Sequence, residues 1–335
     1  MFIRAAIVIA SLAAVVGVGA ARAQEPYYKG KTIALYAGFT PGGGIDGEMR
    51  LIARFLGRHI AGNPNVQAQN MPGAGGILLA NHLYSASRPD GLEIGMPGRS
   101  GFVLAAAVGD ASARYDLRKF TWIGGAGANN LILWLRKGLG VATLEDLRAR
   151  KGEVVIGGLA ASSASVVTPL ALAKYERLPL RVISGYTGLS VATLAMERGE
   201  IDGIYTHAGT FRPDLIASGA IVPVLQTFAV EPNLPALENI DDAKEKALLD
   251  LLIAPGKVGA PVLGPPGLPA EATAALRRGY LEMAASAEYR AEAAKQGIDI
   301  GEALEGSQLQ AYVAAHLGSI PADVVTEYRA FSGIK

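Results

Sequence analysis

The hydrophobic positions near the start of the chain change period where a glycine-rich segment interrupts them. The stretch from Thr32 to Phe39 is apolar and rich in β-forming residues, which predicts a strand. The segment Pro41-Gly42-Gly43-Gly44 cannot continue that strand. Beyond it, apolar side chains recur at helical spacing, at Ile45, Met49, Ile52, Leu56 and Ile60. The pattern therefore predicts a strand, a glycine-rich loop and a helix.

The same alternation continues along the chain. Further strands are predicted at 65–69, 92–96, 131–135, 154–156, 181–184 and 201–205, with helices at 77–87, 102–108, 166–176 and 190–198 and another helix starting near Thr143. Two more glycine-rich loops, 70–76 and 97–101, follow the second and third strands. Strands that alternate with helices are typical of an α/β protein with parallel sheets. In such sheets the binding loops lie at the carboxyl ends of the strands, where all three loops are expected.

The first loop has the chemistry of an anion site. The first N–H groups of a helix have no partner inside the helix, and the helix dipole places partial positive charge there. Glycines without side chains let a ligand approach the main chain, and the turn is expected to need a positive φ at Gly43. We expect Phe39, Thr40, Pro41, Gly42, Gly43 and Gly44 to bind a carboxylate.

A plain turn between strand and helix, with Asp46 as the N-cap, is the structural alternative. The loop is not a phosphate-binding P-loop, because no Lys-Ser/Thr pair follows the glycines. It is not the dinucleotide fingerprint either, since the G-x-G-x-x-G spacing is missing.

The first 23 residues have the pattern of a secretory signal peptide. Arg4 gives a positive start, Ala5 to Val18 is apolar, and Ala21-Arg22-Ala23 fits a cleavage site before Gln24. A membrane anchor would need about 20 apolar residues, more than this run contains. The mature protein is therefore expected to begin at Gln24 and to be periplasmic.

Composition and motif searches exclude several classes of function. The formal net charge of +1 gives no electrostatic reason to expect nucleic acid or an anionic membrane as a partner. The chain has no cysteine, so neither a disulfide framework nor a lipid-anchored cysteine is expected. Its four histidines are far apart and form no metal motif, and no G-x-S-x-G elbow is present. We therefore expect no enzyme activity, no metal and no cofactor, with a serine hydrolase as a weak alternative.

Short motifs occur in a fixed order along the whole mature chain. They are Pro41-Gly42-Gly43-Gly44-Ile45-Asp46, Asn70 to Gly76, Pro89-Asp90-Gly91, Phe120 to Gly124, Gly185-Tyr186-Thr187-Gly188, Glu197 to Gly203, and Gly264 to Pro269. In this order they resemble the extracytoplasmic solute receptors of tripartite tricarboxylate transporters, also called Bug receptors.

The resemblance implies a two-lobed periplasmic-binding-protein fold, type II-like, in which each lobe is a mainly parallel sheet flanked by helices. Lobe one would comprise 24–124 and 229–335, and lobe two 125–228. The apolar stretches Trp122 to Gly125 and Val222 to Phe228 suit the crossings between lobes.

The resemblance also implies a function and its partners. A monomer would capture a di-, tri- or aromatic carboxylate between its lobes and deliver it to integral membrane transporter subunits. A receptor that presents its ligand to a membrane sensor kinase is an alternative that the sequence leaves open.

Further candidate ligand residues lie on the other loops. They are Asp46, Arg99, Ser162, Ser163, Tyr186, Thr187, Thr206 and His207. Arg99 is a candidate to hold a second carboxylate through paired hydrogen bonds, although an exposed arginine is commoner. Relatives usually carry glycines where this chain has Leu159 to Ser165. Three serines remain there as donors, among them Ser162 and Ser163, and Ser163 is matched to the serine of the family. Asp46 either caps backbone N–H groups or meets a donor on the ligand, and His207 is either structural or a donor.

Overall fold

The computed structural model describes residues 25–99, 101–127, 130–159, 163–186, 188–208, 211–237, 243–317 and 320–332. The predicted signal peptide and its cleavage site lie outside these residues, as do the candidate ligand residues Ser162 and Thr187. Within the described ranges, no helix combines the length and apolar character that crossing a membrane requires.

Strands and helices alternate along most of the described chain. The strands are β1 Thr32–Ala37, β2 Asn65–Asn70, β3 Glu93–Met96, β4 Thr121–Ala126, β5 Ile132–Arg136, β6 Val154–Gly157, β7 Leu180–Ile183, β8 Gly203–Thr206, β9 Ile221–Gln226, β10 Ala260–Gly264 and β11 Ala303–Glu305. The helices are α1 Gly44–Leu56, α2 Ile77–Ser85, α3 Gly101–Ala107, α4 Leu144–Ala149, α5 Ala164–Tyr175, α6 Leu189–Glu197, α7 Pro213–Ala217, α8 Ala243–Val258, α9 Ala270–Ala285, α10 Ala287–Lys295, α11 Gly306–His316 and α12 Ala322–Ser332.

The strands form two separate sheets, one for each lobe. The first has the order β11-β4-β10-β3-β1-β2 and the second the order β7-β6-β8-β5-β9. Strand β1 pairs parallel with β2 and β3, and β6 pairs parallel with β7 and β8. The second sheet is therefore built from one continuous stretch of chain, and the first from the segments on either side of it.

The expectation of mainly parallel sheets is wrong, because both sheets are mixed. Strand β10 is antiparallel to β3 and β4, and β11 is antiparallel to β4. In the second sheet, β5 is antiparallel to β8 and β9. The physical reason is the path of the chain: β4 leaves the first sheet and β10 returns to it, so the two neighbours run in opposite directions.

The stretches predicted to cross between lobes are largely sheet strands. Trp122 to Gly125 lies within β4 of the first sheet, and most of Val222 to Phe228 lies within β9 of the second. The chain leaves each sheet just beyond these strands. Their apolar character reflects burial inside the sheets, with every residue of β4 buried.

Helices from the last third of the chain pack against helices of both sheets. The buried residues Val167 and Ala171 of α5 share a core with Leu248 of α8 and Tyr328 of α12. On the surface of this contact, Lys174 Nζ lies 2.5 Å from Glu327 Oε1. The lobe boundaries given above remain a prediction, and this helical layer connects the two lobes.

The first strand and helix form as the sequence pattern predicts, with a shorter helix. Strand β1 buries Ile33, Leu35 and Ala37 in alternation, and α1 buries Met49 and Ile52 against the same core. The helix ends at Leu56 and not near Ile60, and a single 3₁₀ turn follows it.

Candidate functional site

The three glycine-rich loops meet at the carboxyl ends of β1, β2 and β3. A Cβ at Gly38 would lie 2.8 Å from the carbonyl oxygen of Pro97, and one at Gly76 only 1.6 Å from it. Gly76 also has φ +93, in the left-handed region. Only glycines permit this close approach, so the expected placement of the three loops at one sheet edge is confirmed.

A polar cluster behind the first loop holds its shape. Asn70 at the end of β2 donates to the carbonyl of Phe39 at 2.9 Å and to Asp46 Oδ1 at 2.8 Å. Asp46 Oδ2 accepts hydrogen bonds from the Gly42 N–H at 2.8 Å and from Arg50 Nε at 3.0 Å. Burial alone would raise the pKa of Asp46, but these bonds from Arg50, Gly42 and Asn70 lower it to about 2. The carboxylate is thus ionised and committed to the loop.

The N-terminus of α1 differs from the expected geometry in two details. The N-cap is Gly43 and not Asp46, which lies in the first helical turn. Gly43 has φ −83 and ψ 169, an extended conformation open to any residue, whereas the positive φ belongs to Gly42 at +87. The residue with left-handed backbone conformation is therefore Gly42, one position before the predicted Gly43. In this conformation the Gly42 N–H donates to Asp46. No side chain of the described residues caps this helix end.

A cavity of about 540 Å³ opens in front of this helix end. It is lined by Phe39, Thr40, Gly43, Gly44, Ile45, Glu48, Arg99, Ala126, Gly127, His207, Gly297, Ile298, Asp299, Ile300 and Gly301. Six predicted ligand residues are among them: Phe39, Thr40, Gly43, Gly44, Arg99 and His207. They come from the first and third loops and from the end of β8, so the wall includes both lobes.

A smaller cavity of about 170 Å³ adjoins the first. The two share Arg99 and His207, and the second also contains Ser163 and Thr206 from the predicted set. Ser163 is the N-cap of α5, and its Oγ lies 2.8 Å from Ser165 Oγ, which accepts a hydrogen bond from the Leu159 N–H. Ser163 and Ser165 therefore face the same space as Arg99.

Four predicted ligand residues line neither of these cavities. They are Pro41, Gly42, Asp46 and Tyr186. The ring of Tyr186 packs over Gly157, where an added Cβ would lie 3.1 Å from its Cε2. Contacts of these four with a ligand remain a prediction, as do those of Ser162 and Thr187 outside the described residues.

Glu48 is the principal site residue that the sequence reasoning missed. It is fully buried, and its Oε2 accepts a hydrogen bond from Arg99 Nη2 at 2.8 Å. Its Oε1 is buried with no hydrogen-bond partner among the described residues. Burial raises the pKa of Glu48 to about 7, although Arg99 opposes the increase and Asp299 adds to it. A signal was present, because Glu48 lies three residues after Ile45 and four before Ile52, on the apolar face of α1.

The loop 297–301 was also missed, and no motif marks it. It follows α10 and supplies Asp299 to the cavity wall, about 250 positions after the first loop. Asp299 Oδ1 accepts a hydrogen bond from the Gly301 N–H at 3.1 Å. The return of the chain to the first sheet through β10 and β11 brings this loop to α1.

Acidic side chains outnumber basic ones in the described lining of the first cavity. Arg99 is the sole lysine or arginine side chain in the described lining, facing the carboxylates of Glu48 and Asp299. Burial lowers the pKa of His207, and Arg99 lowers it further while Asp299 opposes the change, so this imidazole is neutral at pH 7. No group of three or more potential metal ligands occurs within the described ranges.

Solved solute-binding proteins share the fold over nearly the whole chain. The TctC solute-binding protein from Polaromonas, solved without ligand, covers 90% of this chain and 99% of its own, with a TM-score of 0.69 and 18% identity. A protein of R. palustris with adipate covers 91% of this chain and 98% of its own, with a TM-score of 0.62 and 19% identity. The chain has the fold of these two-lobed solute-binding proteins.

A third such structure is MatC from Rhodopseudomonas palustris with bound malate, which covers 88% of this chain and 99% of its own. Its TM-score is 0.58 and its identity is 19%. The sequence matches no protein-family model and no curated protein. The two-lobed α/β architecture with a helix-flanked sheet in each lobe, expected from the ordered motifs, is confirmed by this shared fold, and the sheets are mixed where mainly parallel ones were expected.

Proposed function

We propose that this protein is a periplasmic solute-binding receptor of the tripartite tricarboxylate transporter class and captures a small organic carboxylate. The observation that carries the proposal is the N-terminus of α1. Its N-cap and first residue, Gly43 and Gly44, have no side chains, and both line the first cavity together with Arg99. An uncapped helix end and a cation in one cavity favour a carboxylate.

The ligand would bind between the lobes without undergoing a reaction. Lobe one would supply the loop 39–44 and Arg99, and lobe two would close over the ligand with Ser163, Thr206 and His207. Contacts from both lobes shift such a protein toward its closed form, because the ligand stabilises that form selectively. The cavity volume of about 540 Å³ suits a small molecule.

The partners and location follow from the same proposal. The closed receptor, a monomer, would deliver its ligand to integral membrane transporter subunits in the inner membrane. The predicted signal peptide supports export, with the mature chain starting at Gln24. Structural neighbours that hold adipate or malate support dicarboxylates as the first ligands to try.

A thermal-shift screen with hexanoate, adipate, malate and citrate tests this function. At least one carboxylate is expected to raise the melting temperature, because a ligand that binds only the folded state stabilises it. The neutral 1,6-hexanediol is the matched control for adipate and should produce no shift. Absence of a shift with all four acids contradicts the proposal. NMR after long incubation should return the ligand unchanged, whereas a new product would favour a hydrolase that uses Ser163.

A further inference from the structure

Glu48 places a carboxylate of the protein itself in the wall of a site that is proposed to bind a ligand carboxylate. It is fully buried, and only its Oε2 is paired, with Arg99 Nη2 at 2.8 Å. Its Oε1 has no hydrogen-bond partner among the described residues. A buried carboxylate with one unpartnered oxygen is unfavourable when ionised, since it has lost water without full replacement. The ion pair is therefore only half satisfied.

The other groups around Glu48 do not supply more positive charge. Asp299, from the loop after α10, adds negative potential. Tyr280 of α9 and Tyr289 of α10 both interact with Glu48, and burial raises the pKa of each, so both are neutral. His207, on the far side near Arg99, is neutral because burial lowers its pKa. Among the described residues facing Glu48, Arg99 is thus the single cation.

An anionic ligand changes this balance. Arg99 lines both cavities and keeps 29% of its side chain exposed, so it is accessible to a ligand carboxylate. Once that carboxylate binds, two carboxylates share one guanidinium in a buried place, with Asp299 nearby. Two carboxylates that share one guanidinium favour protonation of the one that is more desolvated, which is Glu48. A proton on Oε1 leaves the hydrogen bond between Oε2 and Arg99 intact.

We propose that Glu48 couples the capture of an anion to protonation: a carboxylate ligand binds at Arg99 together with one proton, which Glu48 takes up from solvent. No covalent bond forms or breaks, and the ligand stays ionised. The inference rests on the proposed function, because it requires a carboxylate in the first cavity. Affinity should consequently fall about tenfold for each pH unit above neutral, where the proton must be drawn from a scarcer supply.

Calorimetry at pH 8 in phosphate and in Tris measures this proton. The two buffers release protons with different enthalpies, so the difference in observed binding enthalpy gives the number taken up. The titrant is whichever of hexanoate, adipate, malate and citrate gives the largest thermal shift. Wild type is expected to take up close to one proton per ligand, and Glu48→Gln close to none. Glu282→Gln, on the exposed surface of α9, is the matched control and should retain the uptake. His207→Gln tests whether the other titratable side chain of the wall takes up the proton instead.

Each result decides between the claims. Wild type that binds with no proton uptake overturns this inference and leaves the proposed function standing. Uptake that persists in Glu48→Gln but disappears in His207→Gln overturns the assignment to Glu48. Absence of binding by all four acids contradicts the proposed function and this inference with it. If Glu48→Gln does not fold, the wild-type affinity between pH 7 and 9 decides together with that of His207→Gln: a tenfold fall per unit in both proteins supports the coupling, and a flat profile refutes it.

Discussion

Replacing Glu48 by glutamine should stabilise the protein at alkaline pH. Burial raises the pKa of Glu48 from 4.5 to about 7 in the folded protein. Between these values the folded chain holds a proton that the unfolded chain has lost, so the free energy of unfolding falls as pH rises. The fall is about 1.4 kcal/mol per pH unit and ends above the folded pKa. Ionised Glu48 therefore costs about 3 kcal/mol at pH 8.

Glutamine has the shape of the protonated acid but cannot ionise. Glu48→Gln should exceed wild type in stability by about 1 kcal/mol at pH 5 and about 3 kcal/mol at pH 8, on the linkage relation. Urea unfolding followed by circular dichroism at pH 5, 6, 7 and 8 measures the difference. Glu282→Gln, on the exposed surface of α9, controls for the loss of one negative charge. A constant difference between Glu48→Gln and wild type at all four pH values would refute the reasoning.

Two further substitutions test the site from other directions. Gly43→Val should lower carboxylate affinity at least tenfold, which calorimetry measures. It should cost about 1 kcal/mol or less in stability, because φ −83 suits valine and the nearest atom to the new Cβ, Thr40 O, is 3.8 Å away. Urea unfolding measures this loss. The control Gly42→Ala should instead lose about 1–2 kcal/mol of stability, since its φ is +87, and wild-type affinity in Gly43→Val would exclude the loop. Arg99→Ala should destabilise the protein by about 1.4 kcal/mol more at pH 8 than at pH 5, because buried Glu48 loses its counter-ion and must take up a proton at pH 8. Combining it with Glu48→Gln should restore most of that stability, and equal losses with and without Glu48→Gln would contradict the pairing.

The sequence was a good guide wherever a local rule decides the structure. Helical spacing predicted α1, which ends four residues earlier than the pattern, and the run of apolar, β-forming residues predicted β1, which starts at Thr32 as expected. Thr143 was predicted to begin a helix, and it caps α4 with Asp146 through a reciprocal pair of hydrogen bonds. Proline- and glycine-rich segments marked the loops at the strand ends, because few conformations suit those residues.

The features that the sequence did not predict depend on contacts between residues far apart in the chain. Which strands lie antiparallel depends on the chain crossing between sheets twice, and no local pattern encodes that path. Asp299 reaches the cavity only because β10 and β11 return to the first sheet. The pairing of Glu48 with Arg99 joins residues 51 positions apart, so each looked unexceptional in its own segment. A charge on the apolar face of α1 was the one local trace of it.

Asp46 and Glu48 lie two residues apart in the first turns of α1 and have opposite electrostatic environments. Asp46 points back toward the loop and receives donors from Gly42, Asn70 and Arg50, which lower its pKa to about 2 despite burial. Glu48 points into the protein and receives one donor, and burial raises its pKa to about 7. The first carboxylate therefore keeps its charge at any physiological pH and keeps the loop in shape. The second lies at the edge of ionisation, so that a change of charge in the cavity is enough to alter its state. The helix end proposed to bind an anion thus has, one turn away, the acid proposed to take up a proton when that anion binds.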